Sequence, residues 1–149
     1  MAVLLLPNSA RMLAVEELIK VGNLLDGLLV HLSTTNIPLT PDITLADVSG
    51  ANEASFDGYH PSTAIVWGPE VFMNSYDQAV VTGDKKSFQS ATPQTKAQTI
   101  FCWYASKPGA TGPPVVPEEL VLVQAFDVPV AITEYPDGTV VVPVFAFGQ

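Results

Sequence analysis

The run Thr99-Ile-Phe-Cys-Trp-Tyr-Ala105, followed after a proline- and glycine-rich interval by Leu120-Val-Leu-Val-Gln-Ala-Phe126, indicates the fold class. Both runs are short and rich in aliphatic, aromatic and β-branched residues, as β-strands are. The other candidate strands are Leu24–Ser33, Ala64–Trp67, Val71–Asn74, Tyr76–Thr82, Lys86–Ser90, Val130–Thr133 and Thr139–Phe147. About eight short strands at roughly 8–12-residue spacing predict an all-β fold, a jelly-roll-like sandwich of antiparallel strands.

Turn residues between these strands predict two connections. Pro136-Asp137-Gly138 lies between the strand patterns Ala131-Ile-Thr133 and Val140–Val142, so we predict that these two segments form a β-hairpin. The interval Ser106–Glu119 holds four prolines and two glycines, and it predicts an unusually long irregular loop. Loops of this length are often functional or mobile.

The residues before the first strand have a helical pattern instead. Apolar side chains recur near helical spacing over residues 8–21, Asn8 or Ser9 can cap the helix, and Gly22 can end it. We therefore predict one N-terminal α-helix. Its apolar face must lie either on the chain's own β-domain or on a neighbouring subunit.

A second, shorter helical signal lies within the predicted β-domain. Thr44-Leu-Ala-Asp47 predicts a single helical turn capped by Thr44, and Ser49-Gly50-Ala51-Asn52 ends it. We divide the chain into an N-terminal arm and helix, residues 1–23, and a β-sandwich domain, residues 24–149.

Composition indicates the class of partner. Apolar residues make up 48% of the 149 residues and charged residues only 14%, against roughly 25% charged in ordinary soluble proteins. A chain so poor in charge is expected to cover part of its surface with neighbours. Fifteen acidic residues face six basic ones, and the net charge of −9 leaves no basic surface for nucleic acid or for an anionic membrane.

The chain offers few groups for catalysis, and we predict that it is not an enzyme and needs no cofactor. His31 and His60 are the only histidines, and neither belongs to a metal-ligand pattern. We expect His31 to be a satisfied structural residue and His60 to be exposed in a loop. Cys102 is the only cysteine, which excludes an intrachain disulfide and fits assembly in a reducing cytoplasm. It lies in a strand pattern among aromatic residues, where a thiol is buried and inert.

Neither a metal site nor a membrane segment is predicted. Asp42, Asp47, Glu53 and Asp57 could gather around calcium, but they lack EF-hand spacing and favour a solvated face. The apolar start Met1–Leu6 is short, has no basic residues before it and is followed by Pro7, unlike a signal peptide. No apolar run approaches the roughly 20 residues that span a bilayer.

One block of sequence resembles small virion proteins of tailed bacteriophages. The block consists of Leu25-Asp-Gly-Leu-Leu-Val-His-Leu32, Thr35-Asn36, Thr40-Pro41, Thr44-Leu-Ala-Asp47, Glu53-Ala-Ser-Phe56 and Gly58-Tyr59. The order and length of the later strands are similar too, so that the resemblance covers roughly residues 24–149. The N-terminal helix, Ser49–Asn52 and the proline-rich loop at 108–117 depart from that pattern.

The resemblance implies a head decoration, or cement, protein with no catalytic residues. Such a protein would bind the outer face of a phage capsid, after synthesis in the host cytoplasm, and would clamp neighbouring major capsid subunits. Its partners would be the major capsid protein and other copies of itself, with a trimer slightly favoured over a dimer. Tail and baseplate proteins share such sequence patterns, so the position within the virion follows less directly than the virion itself.

Three regions are the predicted contact surfaces: the N-terminal arm and helix, the proline-rich loop and the C-terminal tail. Their residues are Leu4, Leu5, Leu6, Met12, Leu18, Pro108, Pro113, Pro114, Pro117, Phe145 and Phe147. The helix could instead cap its own sandwich, and Phe145 and Phe147 could pack in the core, which we favour for the tail.

A tail- or baseplate-associated receptor- or carbohydrate-binding module is the alternative function. Its signal would be aromatic side chains that stack on sugars, and the candidates are Tyr59, Trp67, Trp103 and Tyr104. Core packing of the same residues is the simpler interpretation.

Overall fold

A computed structural model describes residues 7–20, 25–91, 94–133, 138–143 and 145–148. The helices are α1 (Asn8–Lys20) and α2 (Leu45–Val48), and a single 3-10 turn spans Gly50–Asn52. The strands are β1 (Leu29–Ser33), β2 (Phe72–Met73), β3 (Ala79–Gly83), β4 (Lys86–Gln89), β5 (Gln98–Lys107), β6 (Glu119–Ile132), β7 (Thr139–Val142) and β8 (Phe145–Gly148). The described chain is therefore mostly β-sheet with one N-terminal helix, which confirms the prediction at that level.

The described strands form three antiparallel sheets. The first has the order β1-β5-β6, the second β2-β3-β8, and the third pairs β4 with β7. In the first sheet His31 pairs with Tyr104, and Cys102 pairs with Ala125. This sheet is central to the candidate site, because β5 and β6 are the two strands that the proline-rich interval joins.

Several predicted strand boundaries were wrong, and prolines explain two of them. The patterns Leu120–Phe126 and Val130–Thr133 belong to one strand, β6. Pro129 does not divide this strand, because it lies where the ladder with β5 is irregular and no hydrogen bond from its backbone nitrogen is required. The pattern Thr139–Phe147 is divided at Pro143 into β7 and β8, and these two strands belong to different sheets. Ala64–Trp67 forms isolated bridges rather than a strand.

The predicted hairpin around Pro136-Asp137-Gly138 was also wrong in its pairing. Its turn lies largely outside the described residues, but Ile132 pairs with Gln98 of β5, and β7 pairs with β4. Val140 and Val142 are buried in β7, opposite Phe88 and Lys86. The physical reason is that the burial of a strand's apolar face chooses its partner, and a local turn signal cannot.

The first sheet is covered on both faces. On one face Val30, Leu32 and Trp103 belong to the main core, together with Phe56 and Phe88. On the other face Cys102 and Tyr104 pack against Val48 of α2.

The short helix was predicted correctly: the backbone nitrogen and hydroxyl of Thr44 each donate to Oδ2 of Asp47, at 2.8 and 3.0 Å.

Helix α1 lies on the chain's own second sheet, which answers the question left open by its sequence. Val15 is completely buried against Val71, Ala79 and Val81, and Met12 packs beside them. The predicted end of the helix at Gly22 lies outside the described residues.

Candidate functional site

The loop between β5 and β6 is the most exposed segment of the described chain. We call residues Pro108–Pro117 the proline loop. All ten are exposed, and they include Val115, which is 75% exposed, and Val116, which is 46% exposed. Isolated exposed apolar residues are common, but two adjacent valines among four exposed prolines form a surface suited to contact with another molecule.

The backbone of the proline loop has a defined shape. Ala110 and Val116 form an isolated β-bridge, in which each backbone nitrogen donates to the other's carbonyl at 2.8 and 2.9 Å. The two sides approach so closely that a Cβ on Gly109 would lie 2.3 Å from the carbonyl oxygen of Val116 and 2.8 Å from the nitrogen of Glu118. Only glycine fits there. The bridge and this close approach hold the two valines on a backbone of defined shape.

A buried histidine lies beneath the start of this loop. His31 belongs to β1, and its Nδ1 atom lies 2.6 Å from Oε1 of Glu53. Its Nε2 atom lies 2.9 Å from Oγ of Ser106 on β5. The ring stacks on that of Tyr104 with a centroid distance of 4.6 Å and an interplanar angle of 3°. The sheet brings these groups together because His31 and Tyr104 are cross-strand partners and Ser106 follows on the same face.

Glu118 connects the histidine to the proline loop. It comes directly after Pro117, and its Oε2 atom accepts a hydrogen bond of 2.5 Å from the Ser106 hydroxyl. The same oxygen lies 3.8 Å from Nε2 of His31. We call Glu53, His31, Tyr104, Ser106 and Glu118 the histidine network.

The electrostatics of the histidine network favour an ionised Glu53. Partial burial alone would raise the pKa of Glu53, but hydrogen bonds from His31 and Tyr104 and the charge of His31 hold it below its usual value. The Tyr104 hydroxyl donates to Oε1 of Glu53 at 2.9 Å. Burial and the neighbouring carboxylates raise the pKa of Tyr104, so this phenol remains protonated. The network therefore concentrates charge around the imidazole.

Glu53, His31 and Ser106 are connected in the order acid, base and hydroxyl, as in a hydrolase triad. Access and geometry argue against that chemistry. Ser106 has no exposed surface, and its hydroxyl already donates to Glu118. A substrate carbonyl would have to reach Oγ through the folded sheet. The arrangement as it stands can hold charge and protons, and it matches the expectation that His31 is a satisfied buried residue.

The remaining candidate catalytic groups have structural surroundings. Cys102 is buried, and burial raises the pKa of its thiol, as expected. His60 is exposed, with its Nδ1 atom 3.1 Å from the carbonyl of Pro61. Among the residues that the structure describes, no group of three histidine, cysteine or acidic side chains could hold a metal ion. Of the acidic residues considered for calcium, Asp47 caps α2 and Asp57 accepts hydrogen bonds from Thr95.

The predicted contact residues occupy different environments. Pro108, Pro113, Pro114 and Pro117 are all exposed in the proline loop. Met12 is half-buried against the chain's own sheet, and Leu18 lies in α1. Phe145 and Phe147 lie in β8, where they pair with Gly83 and Val81. Leu4, Leu5 and Leu6 lie outside the described residues.

The aromatic residues proposed for sugar stacking are poorly placed for it. Trp103 and Tyr104 are buried. Trp67 is half-buried, with its ring nitrogen donating to the carbonyl of Leu25 at 2.6 Å. Tyr59 is half-buried, and its hydroxyl accepts a hydrogen bond of 3.1 Å from the backbone nitrogen of Leu32. Stacking needs an open ring face, which buried rings cannot offer.

Sequence reasoning identified the proline loop but missed the histidine network. Its members come from four separate parts of the chain, and no catalytic or metal-ligand motif joins them. None of the described helices combines the length and the apolar character needed to cross a bilayer. Neither a protein-family model, nor a curated protein, nor a solved structure matches the chain.

Proposed function

We propose that this chain is a capsid decoration protein, which binds the outer surface of a phage head and clamps neighbouring major capsid subunits. The observation that supports this proposal best is the proline loop. It presents Val115 and Val116 in a run of ten exposed residues whose backbone is fixed by the Ala110–Val116 bridge.

The ordered backbone of the loop favours docking. Association has to overcome the entropy lost when a flexible segment becomes fixed, and a loop that is already ordered loses less. Prolines restrict the backbone further, and valine side chains have little conformational freedom to lose. The loop is therefore suited to insertion into a preformed apolar depression on a capsid subunit.

Charge indicates what should surround that depression. Glu118 and Glu119 follow the loop directly, and the whole chain carries a net charge of −9. A capsid surface with basic side chains around an apolar depression would complement both features. Nucleic acid and anionic membranes are unsuitable partners for the same electrostatic reason.

The strand order supports the jelly-roll-like sandwich that we propose as the finer fold. The pairs β3–β8, β4–β7 and β5–β6 are nested, as though one long hairpin had been folded over. Such nesting is what the two Greek keys of a jelly roll produce. We propose in addition that copies associate on the capsid, with a trimer slightly favoured over a dimer. Several contacts per particle would hold a locally detached protein near its site.

Catalysis forms no part of the proposal. The one acid–base–hydroxyl sequence in the described residues ends at Ser106, which has no exposed surface. A binding role needs no such access, and it uses the surface that the chain does expose.

The test is the binding of purified protein to heads assembled without it from the same phage genome. The variant Val115→Asn/Val116→Asn should bind heads with an affinity at least about tenfold lower, because apolar anchors are lost. Val128→Asn is the matched control, since Val128 is 76% exposed on β6 and outside the loop. Equal binding by both variants would refute the proposed surface, and a wild-type protein that does not bind heads would refute the function.

The alternative, a carbohydrate- or receptor-binding module on the tail or baseplate, has less support from the structure. The four aromatic residues considered for sugar stacking are buried or half-buried. Fractionation of virions into heads and tails separates the two functions. Recovery of the chain with tails would favour the alternative.

A further inference from the structure

The contacts within the histidine network require a definite number of hydrogen atoms. Three contacts in series join Glu53 to Glu118: Glu53 Oε1 to His31 Nδ1 at 2.6 Å, His31 Nε2 to Ser106 Oγ at 2.9 Å, and Ser106 Oγ to Glu118 Oε2 at 2.5 Å. All three distances are those of hydrogen bonds, and each bond needs one hydrogen atom.

The supply of hydrogen atoms depends on the charge of the imidazole. Two ionised carboxylates supply none, the Ser106 hydroxyl supplies one, and a neutral imidazole supplies one. That total leaves one of the three contacts without a hydrogen atom. An imidazolium supplies two and completes all three contacts. Two other completions place the third proton on a carboxyl group, either that of Glu118 or that of Glu53, and the lowered pKa of Glu53 disfavours the second.

The groups that face His31 favour a cation at the ring. Glu53, from the segment after the 3-10 turn, contacts Nδ1, and Glu118, from the end of the proline loop, lies 3.8 Å from Nε2. From β5, Tyr104 presents its ring face to the imidazole, and aromatic faces attract cations. The phenol of Tyr104 and the nearby thiol of Cys102 are neutral, since burial raises the pKa of both.

We propose that His31 is an imidazolium that holds Glu53 on one side and Glu118, through Ser106, on the other, and that this arrangement makes the order of the proline loop depend on pH. Loss of the ring proton leaves Ser106 with one hydrogen atom for two acceptors, Nε2 and Glu118. The hydroxyl then turns to the imidazole, and Glu118 is released.

Release of Glu118 affects the loop because of its position. Glu118 follows Pro117, and its backbone nitrogen packs against Gly109 on the opposite side of the loop. The ordered state is therefore expected while both ring nitrogens of His31 carry protons, and it is lost when the ring gives up one of them. The consequence for capsid binding, weaker attachment once the ring proton is lost, rests on the proposed function.

The first test is the ¹⁵N NMR spectrum of the two imidazoles of the full chain as the pH is raised. We expect both nitrogens of His31 to carry protons over the pH range in which the loop is ordered. His60 is exposed and serves as the internal reference for a ring open to solvent. A His31 ring with a single protonated nitrogen while the loop remains ordered would overturn the proposal, because the third proton would then belong to a carboxyl group, that of Glu118 if Nδ1 is protonated and that of Glu53 if Nε2 is.

The second test is hydrogen exchange at the backbone amides of Ala110 and Val116. In the wild type their protection should decrease by about tenfold in step with loss of the His31 ring proton, as expected for one lost hydrogen bond. Glu118→Gln should show the weaker protection even while both ring nitrogens of His31 carry protons, whereas Glu119→Gln, the adjacent exposed residue, should behave as the wild type. Protection that is independent of pH, or equal in the two variants, would contradict the proposal.

Binding to heads then separates this proposal from the proposed function. If loop protection follows His31 but neither form of the protein binds heads, the protonation mechanism stands and the decoration function fails. If wild-type protein binds heads while the protection of the loop amides changes neither with pH nor in Glu118→Gln, the function stands and the protonation mechanism fails.

Discussion

Nδ1 of His31 lies 2.6 Å from Oε1 of Glu53 and thereby ties β1 to the segment that follows the 3-10 turn. The two residues are 22 positions apart in the chain. His31 is buried, and Glu53 is half-buried. A charge-assisted contact of this kind is strong, and loss of one partner leaves the other buried without compensation.

Glu53→Gln should destabilise the fold by about 1–3 kcal/mol near neutral pH, because an ionic acceptor is replaced by a neutral one. The pKa of Glu53 is lowered in the folded state, so its contribution is present above the ordinary value of 4.5 and is lost as the pH falls through the folded value. The free energy of unfolding in urea, measured between pH 3 and 7, reports this contribution of Glu53 to stability.

The wild type should lose stability towards pH 3 more steeply than Glu53→Gln, and the two curves should converge there. Glu70→Gln is the control, since Glu70 is exposed. Parallel curves for the wild type and Glu53→Gln would show that the carboxylate contributes nothing specific.

Gly109→Ala should disrupt the proline loop and cost about 1–3 kcal/mol, because a Cβ would overlap the backbone at Val116 and Glu118. Gly112→Ala is the matched control in the same loop, where an added Cβ meets nothing within 4 Å. Hydrogen exchange at Ala110 and urea unfolding provide the measurements. A harmless Gly109→Ala would mean that the two sides of the loop separate easily.

Ser106 should not react with a fluorophosphonate probe in the native protein, because it has no exposed surface. Intact-protein mass spectrometry of the wild type and of Ser106→Ala should give the same absence of labelling. Stoichiometric labelling of the wild type alone would show that the hydroxyl is accessible and activated, and it would revive a hydrolase function.

Val15→Ala should destabilise the chain by about 1–3 kcal/mol, because it removes buried volume between α1 and the second sheet. Leu13→Ala, on the other side of the helix, should change stability by less than about 0.5 kcal/mol, since Leu13 is 57% exposed. Equal effects in urea unfolding would argue that α1 does not depend on its contact with β3.

Local features could be predicted from the sequence because their causes act over a few residues. The N-terminal helix, the capped turn at Thr44 and most of the short strands follow from side-chain spacing, caps and turn residues. The exposure of the proline loop follows from its prolines and glycines, which prevent regular pairing.

Pairing between distant segments could not be predicted in this way. The turn signal at Pro136-Asp137-Gly138 favoured a hairpin, but β7 pairs with β4, where Val140 and Val142 are buried. The sequence predicted two separate strands, Leu120–Phe126 and Val130–Thr133, but an irregularity in the ladder accommodates Pro129 within the single strand β6. In both cases the burial of apolar side chains by the whole fold outweighed the local signal.

The sequence by itself determined a mostly β-sheet chain with an N-terminal helix, a strong negative charge and a long loop rich in proline. Only the tertiary structure placed His31 between Glu53 and Glu118 and beneath that loop. The reason is that a hydrogen-bonded cluster requires atoms within about 3 Å of one another. Residues 22 to 75 positions apart in the chain, such as His31 with Glu53 and with Ser106, reach that distance only when the strands pack.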